Sequence, residues 1–360
     1  MNSKERFRCL LAKQVPDRVL RDYWAVPEID ARLRKHYEVS TQDELLDKLH
    51  IDFRYIEGPK YIGPSLARHD DGSEDDIFGV PRKTIITGEG EFRGSYKAVT
   101  RYPLAECTSV DEVLAYDKWP SADWYDYSPI EEQCELVGDR VAVFMGDRLN
   151  RVSQLKPAMY LRGVDKILAD MARKNNEIFV AIRDKIREFY NEYLRRILDS
   201  ANGNIDLIVT GDDFGTQQGP FCRLATWRDN LMPGFKEYIS ICKDASIPVM
   251  HHTCGSISSL IPSFIECGLD ILNPLQPLVY DMDHAAIKHE FGERIAFHGG
   301  VSLQGPLRFG TPSEVTTEVQ QRINDLGADG RYIICTAHNI QADTPTENII
   351  ALFEAYEEYS

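Results

Sequence analysis

Several features are scarce or missing in this 360-residue chain. No stretch approaches the roughly 18 to 20 consecutive apolar residues that span a bilayer, so no membrane association is expected. The start, from Met1 to Arg8, carries basic residues without a following apolar segment, so export is not expected and a cytoplasmic location is. Positive charge is short: 41 Lys and Arg stand against 57 Asp and Glu, a net charge of -16. A nucleic-acid partner would need a basic footprint, and none is present. The 8 cysteines are scattered through a long chain and lack the density of a small secreted disulfide scaffold. They read as free thiols, most of them small buried apolar groups. No glycine-rich dinucleotide fingerprint follows any apolar run, which counts against a doubly wound sheet.

What is present is a regular alternation in the C-terminal two thirds. Apolar runs at Val141–Met145, Ile205–Val209, Pro248–His251, Asp270–Leu272, Ile295–Phe297 and Tyr332–Ile334 read as strands. Helical stretches separate them, the longest from Lys166 to about Leu198 with an interruption near residues 174–176. Short apolar strands alternating with amphipathic helices imply a parallel sheet, and the number of units favours a (β/α)8 TIM barrel. Residues 1–130 look mixed: Ser3 is placed to cap a helix through Leu11, Thr41 and Glu44 fit a capping box, and short strands and turns lie between Pro59 and Pro103. The expectation is an N-terminal elaboration over residues 1–130 packed on a main barrel of residues 131–360, one structural domain overall.

In such a barrel the chemistry gathers where the strands end. The run Met250-His251-His252-Thr253-Cys254-Gly255 leaves a strand with His252 and Cys254 two apart, and side chains alternate with period two, so both point the same way. About eighty residues on, a second strand end supplies Cys335 and His338. Imidazole and thiolate are the ligands zinc prefers, and a catalytic zinc keeps three protein ligands and one open position. Taken alone, a His-x-Cys pair is more often a satisfied core histidine beside an inert cysteine. The shared position at the strand ends points to a metal instead. Cys335, within an apolar run, and His338, in a loop, both stand as the third ligand.

The other strand ends are polar too. Asp212 and Asp213 are adjacent, so one of them is expected to cap a helix while the other binds substrate or acts as acid or base. Gln217, Gln218, Asn273 and His298 add hydrogen-bonding groups, and Arg148 and Tyr160 are candidates to hold an anionic substrate.

These residues carry a family resemblance. The segments Pro16-Asp17-Arg18-Val19, Gly211 to Gly219, His252 to Ser256, Asp270 to Pro274, Phe297 to Gly300, Phe309 to Pro312 and His338 through Pro345 resemble the uroporphyrinogen decarboxylase superfamily, on its cobalamin-dependent methyltransferase branch. Family decarboxylases carry an Arg-Gln-Ala-Gly-Arg segment near the N-terminus, whereas this chain reads Arg18-Val19-Leu20-Arg21-Asp22-Tyr23-Trp24. The resemblance therefore implies a zinc-dependent methyltransferase of anaerobic metabolism rather than a porphyrinogen decarboxylase. It implies zinc on His252 and Cys254, with His338 ranked over Cys335 because the branch places its late cysteine in that loop. It also implies a corrinoid supplied by a carrier protein, a thiol or tetrahydrofolate as the small-molecule methyl acceptor, and a homodimer as a family expectation. Two other classes stay open: a metal-free lyase acting on a cyclic carboxylic acid through Asp212, Asp213 and the arginines, and a non-catalytic barrel that binds a small ligand.

Overall fold

The structure is a computed structural model that describes residues 1–90, 93–146, 151–173 and 176–360. Eight short parallel strands form one sheet: β1 Leu20–Arg21, β2 Phe53–Tyr55, β3 Val141–Phe144, β4 Leu207–Gly211, β5 Val249–His252, β6 Ile271–Asn273, β7 Ala296–His298 and β8 Tyr332–Ile334. Each strand pairs with its sequence neighbour from β2 to β8, and β8 pairs in turn with β1. The seam between β1 and β2 is bridged by a backbone hydrogen bond from Asp52 N–H to the Arg21 carbonyl at 3.0 Å. The fully buried Asp52 carboxylate ties the same seam, accepting from Arg21 N–H at 2.9 Å, Ser3 Oγ at 2.8 Å and the Arg18 guanidinium at 2.7 and 2.9 Å. This is the (β/α)8 barrel that the alternation implied.

The barrel interior is packed rather than hollow. Leu20, Phe53, Val141, Val143, Leu207, Val209, Met250, Ile271, Ala296 and Ile333 meet inside it as one buried cluster. The helix Ser3–Leu11 closes the N-terminal end, inserting Phe7 and Leu10 into that cluster, with Phe7 edge-on to Phe53 at 5.9 Å. Its cap is Asn2 in a capping box with Glu5, one residue earlier than the cap expected at Ser3, whose hydroxyl is spent on Asp52. The Thr41–Glu44 capping box is present as expected. The long helical stretch divides into Val164–Met171 and Glu177–Ala201, on either side of the expected interruption.

One boundary differs from the expectation. β1 and β2 lie within residues 1–130, so residue 130 does not part an elaboration from the barrel. β1 is Leu20-Arg21 and β2 is Phe53-Arg54-Tyr55, so an arginine interrupts each and neither reads as an apolar run. What stands outside the barrel pattern is the excursion between β2 and the helix Ile130–Val137. It carries a three-stranded antiparallel sheet of Glu74–Asp75, Pro81–Thr87 and Gly94–Val99. That sheet folds back toward the loop after β8, where a Cβ placed on Gly94 would lie 3.6 Å from the Ala342 methyl. Among the described residues no helix is long and apolar enough to cross a membrane.

Candidate metal centre

Period two places β5 as the sequence requires. His251 turns outward into an aromatic cage, stacked on Phe214 at 5.4 Å and edge-on to Phe235 at 4.7 Å, with Nδ1 2.8 Å from the Thr210 hydroxyl. His252 turns inward at the C-terminal mouth. Pairing with β6 continues one step past the strand, Thr253 N–H donating to the Asn273 carbonyl at 2.7 Å. The chain then bends at Gly255, with φ of +92°, against Gly215. A Cβ on Gly255 would sit 2.5 Å from the Gly215 carbonyl carbon, so only glycine fits this crossing. The bend holds Cys254 Sγ 3.4 Å from His252 Nε2.

His338 arrives from the loop after β8, its ring 5.6 Å from that of His252. Ligand atoms of His252, Cys254 and His338 all lie within 4.8 Å of one another. With Zn–N near 2.1 Å and Zn–S near 2.3 Å, tetrahedral ligands stand roughly 3.3 to 3.7 Å apart, and the His252–Cys254 separation falls in that range. His252 and Cys254 are thus preset. His338 is exposed, and its Nδ1 accepts Asn339 N–H at 2.8 Å, which leaves Nε2 as its ligand atom. Cys335 is not part of this group. It is buried in the barrel interior, beside Asp22 and His298, because its place on the strand-end alternation turns it inward below the mouth.

The electrostatics suit a cation. Burial holds the His252 imidazole well below its ordinary pKa of 6.5, which leaves it neutral and able to donate a lone pair. Burial, with the Asp213 carboxylate nearby, pushes the Cys254 thiol up to about 12. Without a cation such a thiol keeps its proton. Asp213 Oδ1 lies 3.8 Å from His252 Nε2 and accepts Cys254 N–H at 3.1 Å, while its Oδ2 pairs with Lys156 Nζ at 2.5 Å. Although burial opposes it, the Lys156 ammonium and the hydrogen bond from Cys254 N–H hold the Asp213 carboxyl well below the usual carboxylate range.

The adjacent aspartates divide their roles. Asp212 does not face the cluster: it accepts the backbone N–H groups of Gln154, Leu155 and Lys156 at 2.8, 2.5 and 2.7 Å and so caps the helix Leu155–Arg162. That is the capping role expected of one of the two aspartates. Asn273 and His298 are fully buried beneath the cluster rather than open to substrate, because β6 and β7 turn them into the barrel. Asn273 Oδ1 meets His252 Nδ1 at 2.5 Å and its Nδ2 meets His298 Nδ1 at 2.6 Å. Gln217 and Gln218 stand exposed on the turn that Gly215 and Pro220 close. Tyr160 packs under the Arg82 guanidinium, 4.3 Å from its ring, at the base of the excursion. Arg148 lies outside the described residues.

Sequence reasoning missed Lys156, Asp22, Trp24 and Tyr55. The Trp24 ring leans on both His252 and His298, at 5.6 and 5.3 Å, and its indole N–H reaches Tyr55 Oη at 2.6 Å. Trp24, Tyr55, Met145 and Asn339 also line one side of a cleft of about 940 Å³ beside the mouth. A polar residue following a strand was the only signal for Asp22, and a two-residue strand hides it.

Fold and cluster together define a (β/α)8 barrel with a candidate site at its strand ends, and the comparisons give the family. Residues 154–359, more than half of the chain, match the family described as uroporphyrinogen decarboxylase (URO-D), and the chain belongs to it. The chain is 25% identical over 134 residues to a methylated-thiol–coenzyme M methyltransferase of Methanosarcina mazei, covering 37% of this chain and 33% of that protein. The match thus spans about a third of the length of the curated relative. A solved methyltransferase from Methanosarcina mazei shares the fold at a TM-score of 0.66, with 16% identity over 100% of this chain and 99% of that one.

Proposed function

We propose that this protein is a zinc-dependent methyltransferase that moves a methyl group between a corrinoid on a partner carrier protein and a small-molecule acceptor, a thiol or tetrahydrofolate. The observation that carries the reading is the preset His252–Cys254 pair with His338 beside it at the barrel mouth. The thiol is favoured as acceptor by the likeness to a methyltransferase whose name specifies methylated thiols.

When bound on His252, Cys254 and His338, zinc supplies the positive charge that keeps a thiol ionised near neutral pH. The rest is done by the chain. The Asp213 carboxylate, held anionic by Lys156, is placed to take the acceptor's proton at Oδ1. Trp24 covers the flank of His252 and keeps water from it. The bend at Gly255 fixes the Cys254 backbone, so the acceptor meets a site whose geometry precedes it.

The test is metal content by elemental analysis of protein purified without chelators, with methyl transfer followed by the loss of methylcobalamin absorbance as thiol or tetrahydrofolate is added. About one zinc per chain is expected, lost in a His252→Ala/Cys254→Ala double variant together with transfer. No zinc after reconstitution under reducing conditions would sink the proposal.

A further inference from the structure

We infer that a buried relay, Asp22–His298–Asn273, sets the tautomer of His252 and so prepares its Nε2 for the metal. The inference rests on the zinc reading above but makes a claim about the metal-free protein as well. Asp22 and His298 are nearly or fully buried, and the His298 Nε2 to Asp22 Oδ2 distance is 2.9 Å. Asp22 is itself held by Tyr23 N–H at 2.7 Å on Oδ1 and by Tyr55 Oη at 2.5 Å on Oδ2, with the Trp24 indole N–H behind the tyrosine.

The direction of the relay follows from the chemistry of its end. An ionised carboxylate only accepts, so His298 Nε2 must carry the proton. The Asn273 amide nitrogen, which only donates, meets His298 Nδ1 at 2.6 Å, so that nitrogen is the acceptor. That turns Asn273 Oδ1 toward His252, and a carbonyl oxygen only accepts, so His252 Nδ1 carries the proton at 2.5 Å. The remaining His252 nitrogen, Nε2, is the one beside Cys254 Sγ, and its lone pair faces the site, where the thiol can donate to it in the metal-free protein. Reversing any link would put the proton on Nε2 and block it as a ligand. Asp22, His298 and Asn273 are positioning residues: they act on the metal only through His252.

Two measurements test this. The first is long-range 1H–15N correlation NMR on histidine-labelled metal-free protein, which reads the His252 tautomer directly. The Nδ1–H form is expected, and the Nε2–H form overturns the relay whether or not zinc binds. The second is zinc affinity by competition with a chromophoric chelator. Asn273→Leu should bind zinc about 10- to 100-fold more weakly. Asn273→Asp, which keeps an oxygen for His252 Nδ1, should stay within about threefold of wild type by the same argument. Equal affinity in Asn273→Leu and wild type, or equal loss in both variants, overturns it. If wild type binds no zinc, the proposed function fails and the tautomer alone decides the relay; if Asn273→Leu does not fold, the tautomer and Asn273→Asp decide it.

Discussion

Asp212→Ala separates a structural aspartate from a catalytic one. The substitution strips the acceptor from three backbone N–H groups, those of Gln154, Leu155 and Lys156, at the start of the helix Leu155–Arg162. Each buried donor left unsatisfied costs about 1–3 kcal/mol, so the gross loss is about 5 kcal/mol. Part is offset, because burial pushes the Asp212 carboxyl up to about 6 despite those three donors, and removing the charge relieves that burial. With the buried charge gone, the net cost is about 2 kcal/mol near neutral pH, at the upper end for loss of a helix cap. For a chain of 360 residues, with an unfolding entropy of about 2.1 cal/mol/K per residue, the melting temperature should fall by about 3 °C. Asp212→Asn keeps an oxygen for two of the donors and removes the charge, so it should melt within about 1 °C of wild type by the same scale. The assay is thermal unfolding by circular dichroism on wild type and both variants, beside methyl transfer at a temperature well below the transition. An Asp212→Ala protein that melts with wild type but has lost activity would refute the capping role and return Asp212 to the chemistry.

Three further outcomes follow from particular contacts. Gly255→Ala forces a Cβ to within 2.5 Å of the Gly215 backbone at a φ of +92°, so stability should drop by about 3 kcal/mol and zinc affinity with it; urea denaturation and chelator competition measure the two. Lys156→Met removes the cation paired with Asp213, and the acid limb of the methyl-transfer pH profile should move up by about one unit, an unmoved limb excluding Asp213 as the proton acceptor. His284 is buried, and burial together with Arg322 pushes it down to about 4 from 6.5. The unfolded chain then binds the extra proton, so this group's contribution is full above pH 6.5 and falls as pH drops toward 4, by about 2 kcal/mol at pH 5; the loss in urea-derived stability between pH 7.5 and pH 5 should be smaller in His284→Asn than in wild type by that amount.

The alternation of apolar runs and helices was enough to specify a parallel barrel, because burying one face of each element leaves few other arrangements. It also placed His252 and Cys254 on one side of a strand end, since period two is a local property of the chain. The separation of Asp212 from Asp213 was legible in outline for the same reason: adjacent side chains cannot converge on one atom. Which of them caps, and which helix, was not, for the capped helix precedes both aspartates in the chain. β1 was invisible because its two residues are held by β8 and by Asp52 rather than by their own propensity. Asp22, Trp24 and Tyr55 were hidden with it, and so was the relay beneath the candidate ligands. Which of Cys335 and His338 stands near His252 was likewise decided by tertiary structure, where a strand end sends one residue into the barrel and lifts the other to the mouth. Local periodicity fixes which way a side chain points; only the closure of the sheet decides what it meets there.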